Sequence, residues 1–129
     1  MTTIHQDVTF TATPEQVYRA LMDPTEHAAF TGAPAEISPH EGGACSWYGG
    51  QVTGRNIELV PGKRIVQVWR AKNWDQGVYS VTKYELRADG ANTRLLFEQA
   101  GHPEGTGKHL EGGWHERYWK PLATYLGPS

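Results

Sequence analysis

Glycine and proline recur roughly every eight to twelve residues through the middle of this 129-residue chain, and this spacing is its strongest structural constraint. Each such pair marks a tight turn, so the pattern predicts a meander of antiparallel strands. The turn candidates are Gly42-Gly43, Gly49-Gly50, Pro61-Gly62 and Asp89-Gly90. Pro61-Gly62 suits a type II turn, and Asp89-Gly90 is typical of a two-residue hairpin. The strands predicted between turns cover residues 34–38, 43–48, 51–60, 63–71, 78–87 and 93–100.

The two ends of the chain show different patterns. Apolar and polar residues alternate over residues 4–10, which predicts a first strand. Thr13-Pro14-Glu15-Gln16 has the residues of a helix start, and that helix should end at Asp23-Pro24. Pro24 suits the first turn of a second short helix that runs to about Phe30, and a long helix is predicted from about Lys108 to Leu126.

Several predicted strands have one uncharged face and one charged face, so the uncharged faces should point inward. The long helix has a matching apolar stripe at spacings of four, four, four and three residues: Leu110, Trp114, Tyr118, Leu122 and Tyr125. Pro121 lies inside this helix and should bend it by removing one backbone donor. The sequence therefore predicts an α+β fold, in which one antiparallel sheet of about six to seven strands wraps around a long C-terminal helix.

Composition excludes several classes of function. Twelve basic and 14 acidic residues give a formal charge of −2, so the chain lacks the basic excess of a nucleic-acid binder or of a protein that binds anionic lipid. No apolar run approaches the ~20 residues of a membrane span, and the start of the chain lacks a signal-peptide pattern. Cys45 is the single cysteine. We expect one cytoplasmic domain over residues 1–129.

The inward faces of the predicted sheet and helix mix uncharged polar residues with aromatic ones. An unpartnered buried amide or hydroxyl costs ~1–3 kcal/mol, so the polar groups either bond to one another or border a ligand space. The second alternative leads to the hypothesis of a lipophilic, apolar or aromatic small molecule bound between the sheet and the C-terminal helix. Its candidate ligand-binding residues are Gln67, Trp69, Ser80, Tyr84, Phe97, Gln99, Trp114 and Tyr118. Thr82 belongs to the same inward set.

Catalytic and metal-binding patterns are weak. The six histidines show no His-x-His or His-x-x-x-His spacing, and Glu111 with His115 is more typical of a surface pair, so no metal and no cofactor is expected. Cys45 among apolar neighbours is more typical of an inert small hydrophobe. An enzyme of the cyclase or hydrolase type would need an ionisable group in the cavity, and Glu58 is the one carboxylate whose strand register leaves that open.

A second hypothesis concerns the segment between Trp69 and Trp74. Arg70, Lys72 and Trp74 have the composition of a protein-interaction hot spot, which favours a module that binds a partner protein. The alternative is that Trp74 folds back and closes one end of the sheet.

Several of these segments resemble a known family. They are Gly42-Gly43-Ala44-Cys45, Gly49-Gly50-Gln51-Val52-Thr53-Gly54, the run from Leu59 to Trp74, and Gly113-Trp114. They are similar to the activator of heat-shock-protein-90 ATPase homologue family, a branch of the START and birch-pollen-allergen-like (SRPBCC) superfamily. The resemblance implies a helix-grip fold with a cavity between sheet and last helix, and a chaperone as a possible partner. Cys45 and Pro121 depart from the usual family pattern, and no segment corresponds to the cochaperone's N-terminal domain.

Overall fold

The computed structural model describes residues 3–127 and contains seven strands and a set of helices in chain order. The strands are β1 Ile4–Phe10, β2 Glu36–Ile37, β3 Ala44–Trp47, β4 Val52–Val60, β5 Arg64–Ala71, β6 Ser80–Asp89 and β7 Asn92–Ala100. The helices are α1 Pro14–Met22, α2 Pro24–Thr31, α3 Gly107–Trp114 and α4 Lys120–Leu126. A 3₁₀ turn spans Tyr48–Gly50, and a π-helical turn over His115–Trp119 joins α3 and α4 into one C-terminal helix, residues 107–126.

All neighbouring strands are antiparallel, in the order β1-β7-β6-β5-β4-β3-β2. The first strand pairs with the last, so the sheet follows the meander except where α1 and α2 separate β1 from β2. The C-terminal helix packs on the inner face of this sheet, with Trp114, Tyr118, Trp119 and Leu122 buried. The predicted α+β helix-grip architecture is therefore confirmed.

The two short helices begin where the sequence predicts. Thr13 forms a capping box with Gln16: the Thr13 hydroxyl accepts from the Gln16 amide, and the Gln16 side chain accepts from the Thr13 amide. The Asp23 carboxylate accepts from the amides of Thr25 and Glu26 and so caps α2. Pro24 then provides the first residue of α2, where its missing N–H costs nothing.

Strand boundaries differ from prediction mainly at two places. β2 contains only residues 36–37 rather than 34–38, because this edge strand pairs with β3 alone over a two-residue register. β6 begins at Ser80 rather than at Val78, since the Val78 amide donates to the Asp75 carbonyl in a turn and the Val78 carbonyl accepts from the Arg70 guanidinium. It continues to Asp89, at the predicted hairpin.

A β-bulge in β4 settles the orientation of Glu58. The register with β5 shifts between Asn56 and Glu58, so Ile57 has no partner and is exposed on the outer face. Glu58 then points outward and accepts a hydrogen bond from Arg64 at 3.0 Å. The Arg55 guanidinium donates to the Gly42 carbonyl instead of pairing with Glu58.

The C-terminal helix departs from the predicted stripe. Trp114 and Trp119 stack with their ring planes 21° apart, because a spacing of five residues is one π-helical turn and puts both on the sheet side. The predicted apolar stripe, which follows spacings of three and four residues, omits Trp119. It had also placed Tyr125 inward, which is wrong: Tyr125 is 40% exposed, at the rim of α2, where its hydroxyl donates to Glu26.

Pro121 lies near the start of α4 and supplies no backbone N–H to the helix. Without its N–H, the carbonyl of Arg117 has no donor four residues on. The Tyr48 hydroxyl, from the 3₁₀ turn after β3, donates to this carbonyl at 3.1 Å. A tertiary contact therefore replaces the missing helical bond and ties the helix to the edge of the sheet.

A buried histidine joins α2 to the C-terminal helix. His27 is fully buried, its Nε2 lies 2.6 Å from the Tyr118 hydroxyl, and its Nδ1 has no hydrogen-bond partner. Phe30 and Tyr118 pack against the ring. Burial lowers the pKa of His27 to about 4, because this enclosure leaves a protonated ring without solvation.

Within residues 3–127, the structure has no helix that is both long enough and apolar enough to cross a membrane.

We expect Tyr48→Phe to lower the free energy of unfolding by about 1 kcal/mol, since it leaves the Arg117 carbonyl without its donor. The cost should shrink in a Pro121→Ala background, where an alanine N–H can serve the same carbonyl. Urea unfolding of both single variants and the double variant measures this coupling. An equal cost in the two backgrounds would show that Tyr48 does not compensate for the proline.

The depressed pKa of His27 predicts that stability falls on acidification. The unfolded chain binds a proton near pH 6.5, whereas the folded chain does so only near pH 4. The free energy of unfolding should therefore decline by ~3 kcal/mol across this window, with the full stability present above pH 6.5. Urea unfolding between pH 7.5 and 5 tests this, because most carboxylates titrate lower. His27→Gln should flatten the slope, whereas the control His40→Gln, at an exposed position, should keep it.

Candidate functional site

A cleft of about 1150 Å³ lies between the C-terminal helix and one end of the sheet. The start of β4, the end of β5, the loop after β5 and the exposed side of α3 form its walls. Seven tryptophan and tyrosine side chains line it: Trp47, Tyr48, Trp69, Trp74, Tyr84, Trp114 and Tyr118. Large apolar walls of this kind are typical of a small-molecule site.

Four buried polar side chains form a row that crosses the sheet beside this cleft. Asn56 pairs in register with Gln67, Gln67 with Thr82, and Thr82 with Gln99. None of the four is more than 3% exposed. A row of polar groups at such depth is tolerated only if every group has a partner.

Gln99 connects this row to the helix. Its carbonyl oxygen accepts from the Trp114 indole at 2.8 Å, and its amide donates to the Ser80 hydroxyl at 3.0 Å. Ser80 in turn donates to the backbone carbonyl of Trp69 at 2.8 Å. Each polar side-chain atom of Gln99 and Ser80 thus has a partner within the protein.

Gln67 belongs to a second branch of the same row. Its amide donates to the Asn56 carbonyl oxygen at 3.0 Å, and Asn56 donates to the backbone carbonyls of Ser38 and His40. The Thr82 hydroxyl donates to the Gln67 backbone carbonyl. Of the two alternatives that the sequence left open, internal pairing accounts for Gln67, Ser80, Thr82 and Gln99.

The structure divides the predicted ligand-binding residues into two layers. Trp69, Tyr84, Trp114 and Tyr118 line the cleft. Gln67, Ser80, Phe97 and Gln99 do not line it and lie behind these walls; Phe97 packs against Trp114 with ring centroids 4.4 Å apart. The inner layer therefore fixes the orientation of the aromatic wall and makes no direct approach to the cleft.

The segment predicted as a protein-interaction surface folds back on the sheet. Trp74 lies edge-on to Trp69, with ring centroids 5.5 Å apart, and lines the cleft. The Arg70 guanidinium donates to the carbonyls of Trp74, Asp75 and Val78 and lies over the Tyr79 ring. Of the three predicted residues, only Lys72 projects as an exposed side chain, and it borders the cleft.

Ionisable groups reach the cleft from segments that strand patterns do not describe. Lys72 and Asp75 come from the loop after β5, and His109 and Arg117 come from the helix. The sequence analysis named Lys72 only as a protein-interaction residue and missed Asp75, His109 and Arg117, because its helix stripe followed apolar positions and its other inward residues came from strands. A stripe of four-residue spacing, 109–113–117, was a signal that could have found the two helical positions.

Burial keeps the phenols and the thiol near the cleft neutral. Desolvation raises the pKa of Tyr48 to about 12 and also raises the pKa of Tyr84 and of Tyr118. It also raises the pKa of the Cys45 thiol, whose Sγ lies 3.4 Å from the Asn56 carbonyl oxygen. These groups offer weak hydrogen bonding and apolar contact, not an activated nucleophile. Within residues 3–127, no cluster of three or more His, Cys, Asp or Glu side chains is placed to hold a metal ion.

Comparisons with known proteins agree with this architecture. An HSP90 activator from Plasmodium falciparum has a similar structure, with a TM-score of 0.92 over 98% of this chain and 96% of that chain at 20% identity. The Aha1 dimer from Colwellia psychrerythraea gives 0.83 over 98% and 96%, at 18% identity. At these identities the likeness establishes the fold.

Curated proteins show a higher sequence identity to this chain than the two structures above. The human activator of 90 kDa heat shock protein ATPase homolog 1 is 31% identical over 119 residues, which cover 92% of this chain and 35% of that protein. The chain thus spans about a third of the length of the curated relatives it matches, from 28% to 37%. Residues 11–127 match the family described as activator of Hsp90 ATPase homolog 1-like protein. The chain belongs to this family.

Proposed function

We propose that this domain binds an apolar or aromatic small molecule in the cleft between the sheet and the C-terminal helix. Trp69, Tyr84, Trp114 and Tyr118 supply the walls, and Trp74 contributes from the loop after β5. The inner layer behind them, which consists of Gln67, Ser80, Phe97 and Gln99, holds these walls in place. The volume and aromatic lining of the cleft support this proposal.

The observation that carries it concerns two consecutive glycines in α3. Gly112 and Gly113 have no positive φ, and a Cβ atom at either would meet nothing within 4 Å. Neither backbone conformation nor packing therefore requires glycine, although each costs the helix about 1 kcal/mol relative to alanine. Gly113 lines the cleft, so its missing side chain leaves open space between the aromatic walls.

The two glycines provide a matched test. We expect the neutral fluorescent probe N-phenyl-1-naphthylamine to bind the wild-type protein and Gly112→Leu, and to bind Gly113→Leu about tenfold more weakly, because only that leucine fills the cleft. Fluorescence titration gives the three affinities. Both variants should keep or raise the melting temperature, since leucine favours helix over glycine. Equal binding by all three proteins, or none by the wild type, would contradict the proposal.

A second proposal is that the domain contacts an Hsp90-type chaperone and stimulates its ATPase. The identity with the human activator over most of this chain supports it. Arg70 and Trp74 are engaged within their own loop, so Lys72 is the predicted interaction residue that remains available. No part of this proposal needs the cleft to be occupied.

Chaperone ATPase measurements test this second proposal directly. The protein should raise the steady-state ATPase rate of an Hsp90 from the same cell. Lys72→Glu should weaken that activation more than Lys63→Glu, a charge reversal at an exposed position at the opposite end of β5. An unchanged ATPase rate at saturating protein, with no complex seen by calorimetry, would exclude this role.

A further inference from the structure

We propose that the ligand of the cleft carries a single anionic group, next to its apolar body, that is attracted by Lys72 and Arg117. This inference rests on the binding function proposed above and adds the chemical class of the ligand. A carboxylate or a sulfonate on an aromatic or aliphatic skeleton has this chemistry.

The first support is that two basic side chains border the cleft without partners. Among the described residues 3–127, neither Lys72 nor Arg117 forms an ion pair or a side-chain hydrogen bond, although both border the cleft. Elsewhere in this part of the chain, five lysine and arginine side chains pair with carboxylates, whereas Arg19, Lys63 and Lys108 form no ion pair either. Lys72 and Arg117 are distinguished by their position beside the open space of the cleft, where their charges are available to a ligand.

The balance of charge at the cleft is positive. Among the side chains of residues 3–127, Asp75 is the one carboxylate that lines it, against Lys72 and Arg117. The whole chain has a formal charge of −2, so this positive excess is a local property of the cleft.

The helix places the open space and the charge next to each other. His109, Gly113 and Arg117 follow one another at four-residue spacing and all line the cleft. Gly113, the middle one of these three positions, has no side chain and leaves open space there. Arg117 lies about one turn further along the helix. A ring or chain that occupies the gap would bring an attached acid group towards Arg117. Lys72 and Arg117 are both exposed, so this attraction is that of a surface ion pair and is screened by salt.

Two probes that share one ring system separate this inference from the binding function itself. N-phenyl-1-naphthylamine is neutral, and 1-anilinonaphthalene-8-sulfonate adds one sulfonate. We expect the wild-type protein to bind the anion about three- to tenfold more tightly at low salt, with the advantage shrinking as sodium chloride is raised. The neutral probe should show little dependence on salt.

Charge variants locate the effect. Lys72→Gln and Arg117→Gln should each weaken binding of the anion about threefold, and together about tenfold, with the neutral probe unchanged. Lys63→Gln, exposed at the far end of β5, is the matched control and should alter neither affinity. Gly113→Leu should weaken both probes, which places the anion in the cleft and not on the outer surface.

Each alternative outcome has a definite reading. Equal affinities for the two probes, or an anion affinity that the double variant leaves unchanged, would overturn the anionic ligand while keeping the binding function. Anion binding that survives Gly113→Leu would overturn it as well, because the anion would then lie outside the cleft. Failure of both probes to bind the wild type would overturn the binding function and this inference together.

Discussion

The polar tips of three aromatic side chains fix the C-terminal helix on the rest of the fold. The Trp114 indole donates to Gln99 on β7, the Trp119 indole donates to Gln6 on β1, and the Tyr118 hydroxyl lies 2.6 Å from His27 on α2. Aromatic burial supplies the attraction, but it is not directional. These bonds set the rotation and height of the helix, so the shape of the cleft depends on them.

The π-helical turn is what allows all three contacts to exist together. In a regular α-helix, at about 100° per residue, Trp119 would point about 140° away from Trp114 and could not share the sheet side with it. Widening one turn brings Trp114 and Trp119 into a stack, and Pro121, just beyond it, frees a carbonyl that Tyr48 then caps. A local irregularity and a remote hydroxyl therefore act as one structural unit beside the cleft.

The buried polar row gives the sheet a rigid backing for the cleft. Asn56, Gln67, Thr82 and Gln99 occupy equivalent positions on four neighbouring strands, and their bonds leave no buried side-chain atom of the row without a partner. Such a network fixes strand register, because a slip by one residue would expose every member. The polar residues therefore position the aromatic walls, while the glycine gap and the basic residues give the cleft its capacity and its charge.

The sequence by itself determined the strands, the turns, both short helices and the inward faces of β5, β6 and β7, because alternation, turn residues and helix caps are local properties of the chain. Only the tertiary structure decided which inward polar groups pair with one another, that Glu58 points outward and that Trp119 is buried. The orientation of Glu58 depends on the bulge in β4, and the burial of Trp119 depends on the widened helical turn. The polar pairs join neighbouring strands and the helix, so all three features form only when remote segments pack together. The charged rim of the cleft was likewise invisible to strand patterns, since a loop and a helix bring Lys72 and Arg117 to it from 45 residues apart in sequence.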